Sequence, residues 1–231
     1  MTAPGIVLLA HGSPDRRHRD GVERLARRVH AAVPSRAVHT AYLDHHGPSP
    51  QEAARRSPGG ASVVPVLVTP AHHARVDVPA AVAAMWEETG GAFTATAPLG
   101  PDPLLLQGVG ELLARAGISP SRDAAVVLYA AGSSDGAAAA SVRRLLDHQP
   151  DARWGAREVA ALDGGRDVAE VAASLGERRI LAVSFMVADG VLRDRMARRC
   201  ADAGIDLVPG TLGDTVALAE LAAQRAGSLA A

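Results

Sequence analysis

The chain has 231 residues, enough for one large domain or two small ones with a buried core. Its 24 Lys and Arg balance 25 Asp and Glu, and Trp, Tyr and Phe occur twice each, which argues against global steering toward nucleic acid and against a base-stacking platform. One cysteine excludes an intramolecular disulfide framework or a CxxC metal site, and no stretch approaches the ~20 apolar residues of a membrane span.

These features predict a cytoplasmic protein whose partner is a small molecule, not nucleic acid or a membrane, and which is a monomer or a weak homo-oligomer. In chain order, strands are expected near residues 5–11, 37–43, 62–69 and 92–97, and helices near 17–33, 50–56, 77–89 and 103–116. Alternation of this kind is the signature of a parallel sheet covered by helices. The runs "GIVLLA" and "ASVVPVLV" are apolar on both faces, as strands between two helical layers should be. The pattern then restarts. "AAVVLYAAGSSDG" (Ala124 to Gly136) repeats "PGIVLLAHGSPDR" at an offset of 120, and "RRILAVSFMVADGVLRDRM" (Arg178 to Met196) takes the place of "SVVPVLVTPAHHARVDVP" (Ser62 to Pro79). Two α/β lobes facing a central cleft are expected, residues 1–118 and 119–231, with the boundary near "GISPSRD". Within the repeat, His11 becomes Ala131, and His72-His73 fall opposite Ala188-Asp189. The working imidazoles should therefore lie in the first lobe, with a degenerate site in the second.

Three polar clusters follow predicted strands of the first half: "AHGSPD", "YLDHHGPSP" and "TPAHHARVDVP". Parallel strands bring such ends to one edge, so His11, Asp44 with His45 and His46, and His72 or His73 can converge. Two imidazoles and a carboxylate suit a divalent first-row metal, and imidazole also accepts protons near neutral pH. Taken alone, His11 reads more readily as a hydrogen-bonded structural residue than as a ligand. The turn before "GPSP" should leave His45 or His46 in water, and an extended segment would point His72 away from His73. His18, His30, His39 and His148 lie in regular patterns with no partner in view and are assigned surface or packing roles. Arg16, Arg17 and Arg19 open a helix whose N-terminus already favours anions, beside Ser13, and Arg75 sits between His73 and Asp77. An anionic ligand rich in carboxylates would fit. Neither GxxxxGK[ST] nor GxGxxG is present.

"LLAHGSPD" and the later "HxxxDVP" (His73, Asp77, Val78, Pro79) together resemble the class II sirohydrochlorin chelatases, in their long two-domain form. The resemblance implies tandem flavodoxin-like, chelatase-like lobes and insertion of Co²⁺ or Fe²⁺ into sirohydrochlorin, toward cobalamin or sirohaem. It implies no cofactor beyond that divalent metal substrate. By motif, His11 and His73 would serve as metal ligands and catalytic bases, and Asp44, in "LDHHGPSPQEA", as the third ligand, where the family carries glutamate. Ser13, Arg16, Arg17, Arg19 and Arg75 would bind the substrate's carboxylates. A non-catalytic metal or tetrapyrrole carrier is the alternative. A phosphohistidine-type nucleophile would require arginine before the histidine, and Ala10 stands there.

Overall fold

A computed structural model describes residues 4–69, 73–132, 136–176 and 178–227, with the side chains of residues 73–75 outside that description. The first sheet is built from β1 (Gly5–Ala10), β2 (Val38–Tyr42), β3 (Gly60–Pro65) and β4 (Ala92–Ala95), all parallel, in the order β2-β1-β3-β4. The second repeats it with β5 (Ala124–Gly132), β6 (Ala156–Asp163), β7 (Arg179–Phe185) and β8 (Asp206–Leu207), in the order β6-β5-β7-β8. Each sheet has the flavodoxin-like order, in which the chain winds one way from the first strand and then reverses.

The helices are α1 (Arg16–Ala32), α2 (Pro50–Arg55), α3 (His73–Thr89), α4 (Leu104–Arg115), α5 (Ala137–His148), α6 (Val168–Ser174), α7 (Val191–Asp202) and α8 (Val216–Gly227). Local chemistry sets several of their starts. Asp15 caps α1 by accepting the Arg17 N–H at 2.9 Å, and α2 and α6 each open on a reciprocal capping box, Ser49 with Glu52 and Asp167 with Glu170. One start departs from the expectation: α3 begins at His73, not near residue 77, and carries Pro79 inside it. Sequence reasoning places proline in the first turn, where its missing N–H costs nothing. Here the ring is tolerated seven residues in, so His73 is helical and the extended geometry assumed for the His72-His73 pair does not hold at His73. His72 and Ala71 lie outside the described residues.

Apolar residues form two outer clusters, one per lobe, and a third between the sheets. The shared cluster joins Ile6 and Leu8 of β1 to Val126 and Leu128 of β5 through α1, α4, α5 and α8, so burial, at about 1.5–3 kcal/mol per large aliphatic side chain, couples the lobes. The last helix crosses back. Counted by sequence with the second lobe, α8 packs on α1, α4 and β3. Glu111 of α4 accepts the N–H groups of Val216 and Ala217 at 2.7 and 2.8 Å, which satisfies two of the orphan donors at the start of α8. At the far end Arg225 reaches the Pro98 carbonyl at 3.0 Å and Asp102 at 2.8 Å. Ser62 in β3 donates to the Ala226 carbonyl, and the buried Arg36 guanidinium donates to Ser62 and to the carbonyls of Pro4 and Gly5.

Cys200 lies in the outer cluster of the second lobe, where burial pushes its thiol up to about 11. The native protein is therefore expected to leave an aromatic disulfide reagent unreduced at pH 8, with one thiol appearing on denaturation. Prompt reaction under native conditions would show that α7 opens from the core.

Candidate functional site

The reversal of strand order leaves a crevice beyond the carboxyl ends of β1 and β3, and another beyond β5 and β7. The two face each other. One cleft of about 340 Å³ is walled by His11 to Pro14 and Val66 to Thr69 from the first lobe, and by Ala131 and Phe185 to Arg193 from the second.

The first wall is fixed by backbone contacts. The Leu43 N–H donates to the Ala10 carbonyl at 3.0 Å and the Asp44 N–H to the His11 carbonyl at 2.8 Å, which extends the β1–β2 pairing past the sheet edge. Gly12 makes this approach possible: its φ is +100°, and a Cβ there would lie 1.9 Å from the Asp44 carbonyl oxygen. The repeat preserves the device. Gly132, at φ +85°, would place a Cβ 1.8 Å from the Asp163 carbonyl oxygen, so Asp163 stands in the second lobe where Asp44 stands in the first.

Among the described residues, three imidazoles line the cleft: His11, His18 and His45. His18, expected from the sequence to have a surface or packing role, lines the cleft. Burial pushes its pKa down, and the neighbouring His46 and His11 push it further the same way. A signal for it was present in α1: His18 precedes Gly21, Val22, Leu25 and Val29, all buried, at helical spacing, so it continues the buried stripe toward the cleft. His46 sits edge-on to Tyr42 with ring centroids 5.7 Å apart and borders a polar crevice with Arg16, Arg19, Asp20 and Glu23. His30 and His148 turn their Nδ1 atoms to the carbonyls of Arg36 and Arg144, in keeping with structural roles.

Asp44 and His45 exchange the places expected of them. His45 reaches the cleft through a left-handed backbone, φ +65°, and its N–H donates to Asp44 Oδ1 at 2.7 Å. The exposed Asp44 carboxylate is thereby turned onto its own loop, with Oδ2 3.6 Å from His45 Nε2, and does not line the cleft. The short aspartate bonds its own turn, a local competition that residue counting does not reveal. No group of three His, Cys, Asp or Glu side chains among the described residues is disposed to hold a metal ion. His73 begins α3, but its side chain and that of Arg75 lie outside the described residues.

The arginines at the start of α1 face carboxylates. Arg16 is largely exposed, 3.9 Å from Asp20, and Arg19 pairs with Glu23 at 2.8 Å. Arg17 holds Asp15 and, across the mouth of the cleft, Asp194 of α7. Ser13 lines the cleft and accepts the Asp15 N–H at 3.2 Å.

The second wall is apolar, with one cation that the sequence reading omitted. Val191 and Leu192 remain 53% and 41% exposed in the first turn of α7. Beside them Arg193 donates to the Val208 carbonyl at 3.2 Å and lies 3.4 Å from Asp189. Sheet register also corrects the internal alignment. Ser62 of β3 pairs with Ile6, and Leu181 of β7 pairs with Val126, the repeat of Ile6, so β3 and β7 correspond at an offset of 119.

Residues 5–116 match the CbiX family. Among solved structures, SirB from Bacillus subtilis with Fe³⁺ superposes with a TM-score of 0.80 at 18% identity, over 99% of this chain and 98% of that one. The sirohydrochlorin chelatase SirB from Bacillus subtilis subspecies spizizenii in complex with cobalt gives 0.75 at 18% identity, over 97% and 94%. CbiX, described as the terminal enzyme for biosynthesis of siroheme in denitrifying bacteria, gives 0.72 at 18% identity, over 97% and 98%. These likenesses establish the two-lobed fold along the whole chain. No curated protein matches the sequence.

Proposed function

We propose that this chain, whose first lobe matches the CbiX family and whose fold is that of the sirohydrochlorin chelatases it superposes on, inserts a divalent metal, Co²⁺ or Fe²⁺, into sirohydrochlorin. The observation that carries the proposal is the pairing of walls in the cleft: the imidazoles of His11, His18 and His45 on one side, aliphatic surface at the start of α7 on the other.

The substrate's chemistry accounts for both walls. Sirohydrochlorin is a macrocycle with eight peripheral carboxylates, and its inner nitrogens lose two protons as one divalent ion enters, so charge balances across the step. A neutral imidazole can present a metal without holding it as a thiolate cage would, and can accept a proton released from the ring. His11 and His73 take these roles in our reading. Asp44 takes the third ligand position only if its loop turns the carboxylate toward the cleft. The ring rests its other face on Val191 and Leu192, and its carboxylates meet Ser13, Arg16, Arg17, Arg19 and Arg75 at the rim. The first lobe, about residues 1–118, thus supplies the chemistry, and residues 119–231 supply the closing wall. The product would serve sirohaem or cobalamin synthesis in the cytoplasm.

Anaerobic incubation with sirohydrochlorin and either Co²⁺ or Fe²⁺ tests the reading through the absorption change on metal entry. Catalysed insertion above the spontaneous rate is expected. Stoichiometric binding of ring or metal without turnover would identify a carrier instead. Leu192→Asp should weaken binding of the metal-free ring by about ten-fold, since it places a charge against an apolar face. Unchanged affinity would remove α7 from the binding surface.

A further inference from the structure

Two α1 arginines take partners from the opposite lobe: Arg24 lies 3.3 Å from Asp214, and Arg17, at the mouth of the cleft, holds Asp194. Arg17 Nη1 donates to Asp194 Oδ1 at 3.1 Å and its Nη2 to Asp194 Oδ2 at 2.6 Å, a bidentate grip. Its Nε and Nη2 also hold Asp15, which is fixed in turn as the α1 cap. The two partners are therefore unequal. Asp15 belongs to the same turn as Arg17, whereas Asp194 projects from the first turn of α7, just after the cleft residues Val191, Leu192 and Arg193. The pair spans the rim where residues 13–18 meet residues 190–193, and half of each side chain is still in water.

We propose that Asp194 is a stand-in for a substrate carboxylate: it occupies the outer face of the Arg17 guanidinium until a peripheral carboxylate of the entering macrocycle displaces it. This rests on the ring-binding reading above and adds to it a residue that competes with substrate. The exchange replaces one bidentate carboxylate by another, so it costs little, and it frees α7 from α1 as the ring enters. A ligand without a carboxylate at that position would have to break the pair with no replacement, which makes Arg17 and Asp194 together a filter for carboxylated rings. Arg17 is well suited to this, because Asp15 keeps the guanidinium in place when Asp194 leaves.

The exchange and a simple clamp predict opposite signs. If Asp194 competes with the ligand, Asp194→Asn should tighten binding of metal-free uroporphyrin, an octacarboxylate macrocycle, by about three-fold or more at fixed ionic strength. Arg17→Gln should weaken it by a similar factor, and Asp194→Asn should have no further effect in the Arg17→Gln background. Asp202→Asn, at the other end of α7, controls for the general loss of one negative charge and should leave affinity within experimental scatter. If Asp194→Asn weakens binding or matches Asp202→Asn, the pair is a structural clamp and the exchange is overturned while the ring-binding reading stands. If the wild-type protein does not bind the octacarboxylate ring at all, both fall.

Discussion

His11→Ala should lower the rate of metal insertion by on the order of 10²-fold, with little change in affinity for the metal-free ring. The imidazole stands at the end of β1, where its backbone is already committed: its carbonyl accepts the Asp44 N–H, and the following Gly12 makes the close turn. Removing the side chain leaves those contacts in place, so the fold should survive and the loss should fall on the chemistry. Apolar contact with α7 and carboxylate pairing at the rim are likewise untouched, which is why rate and affinity should separate. Initial rates measured anaerobically with saturating metal, beside ring dissociation constants from fluorescence quenching, decide the matter. A variant that keeps its rate but loses ring affinity would make His11 a docking residue and not a participant in metal transfer. His73→Ala is expected to behave as His11→Ala does.

The two-lobed architecture was legible because it rests on redundancy: alternating strands and helices, and a motif that recurs at an offset of 120. Strands such as "GIVLLA" announce burial on both faces, and β1 is buried along nearly its whole length. Features set by tertiary contact were not legible. That α8 caps itself on Glu111 and covers the first sheet depends on where α4 lies, which no local pattern encodes. The site divides along the same line. His11 could be placed from the strand that ends before it. Asp44 and His45 could not, because a single left-handed residue decides which of the two faces the cleft. His18 occupied an intermediate position: its helical register pointed at the buried stripe, but whether that stripe ended in core or cleft depended on the second lobe. The close approach there is visible at Gly21, where a Cβ would lie 2.6 Å from that of Ala188.

Gly12→Ala and Gly132→Ala form a matched pair, and the larger functional loss should come from the first alone. Each glycine has a positive φ, and each would bring a Cβ within 2 Å of a carbonyl oxygen on the neighbouring strand's continuation, Asp44 or Asp163. A contact that short cannot be absorbed by rotating a side chain, since the obstructing atom is backbone. The strand ends must part, and the residue must also tolerate a left-handed conformation. Each substitution should therefore cost about 2–4 kcal/mol, a shift of roughly 5–15 °C in melting temperature for a chain of this size. Differential scanning calorimetry reads both, and because the shared cluster couples the lobes, each variant should still melt in a single transition. Their activities should differ. In Gly12→Ala the displaced atoms carry His11 and the His45 loop, so insertion should fall by at least ten-fold even where the protein is fully folded. In Gly132→Ala they carry Ala131 and Asp163, which bring no imidazole to the cleft, so the insertion rate below the melting range should stay within about two-fold of wild type. Equal losses of activity would mean that the second lobe contributes to the chemistry and not only to the closing wall. A Gly12→Ala protein with wild-type melting would show that the ends of β1 and β2 are not held as close as the structure places them.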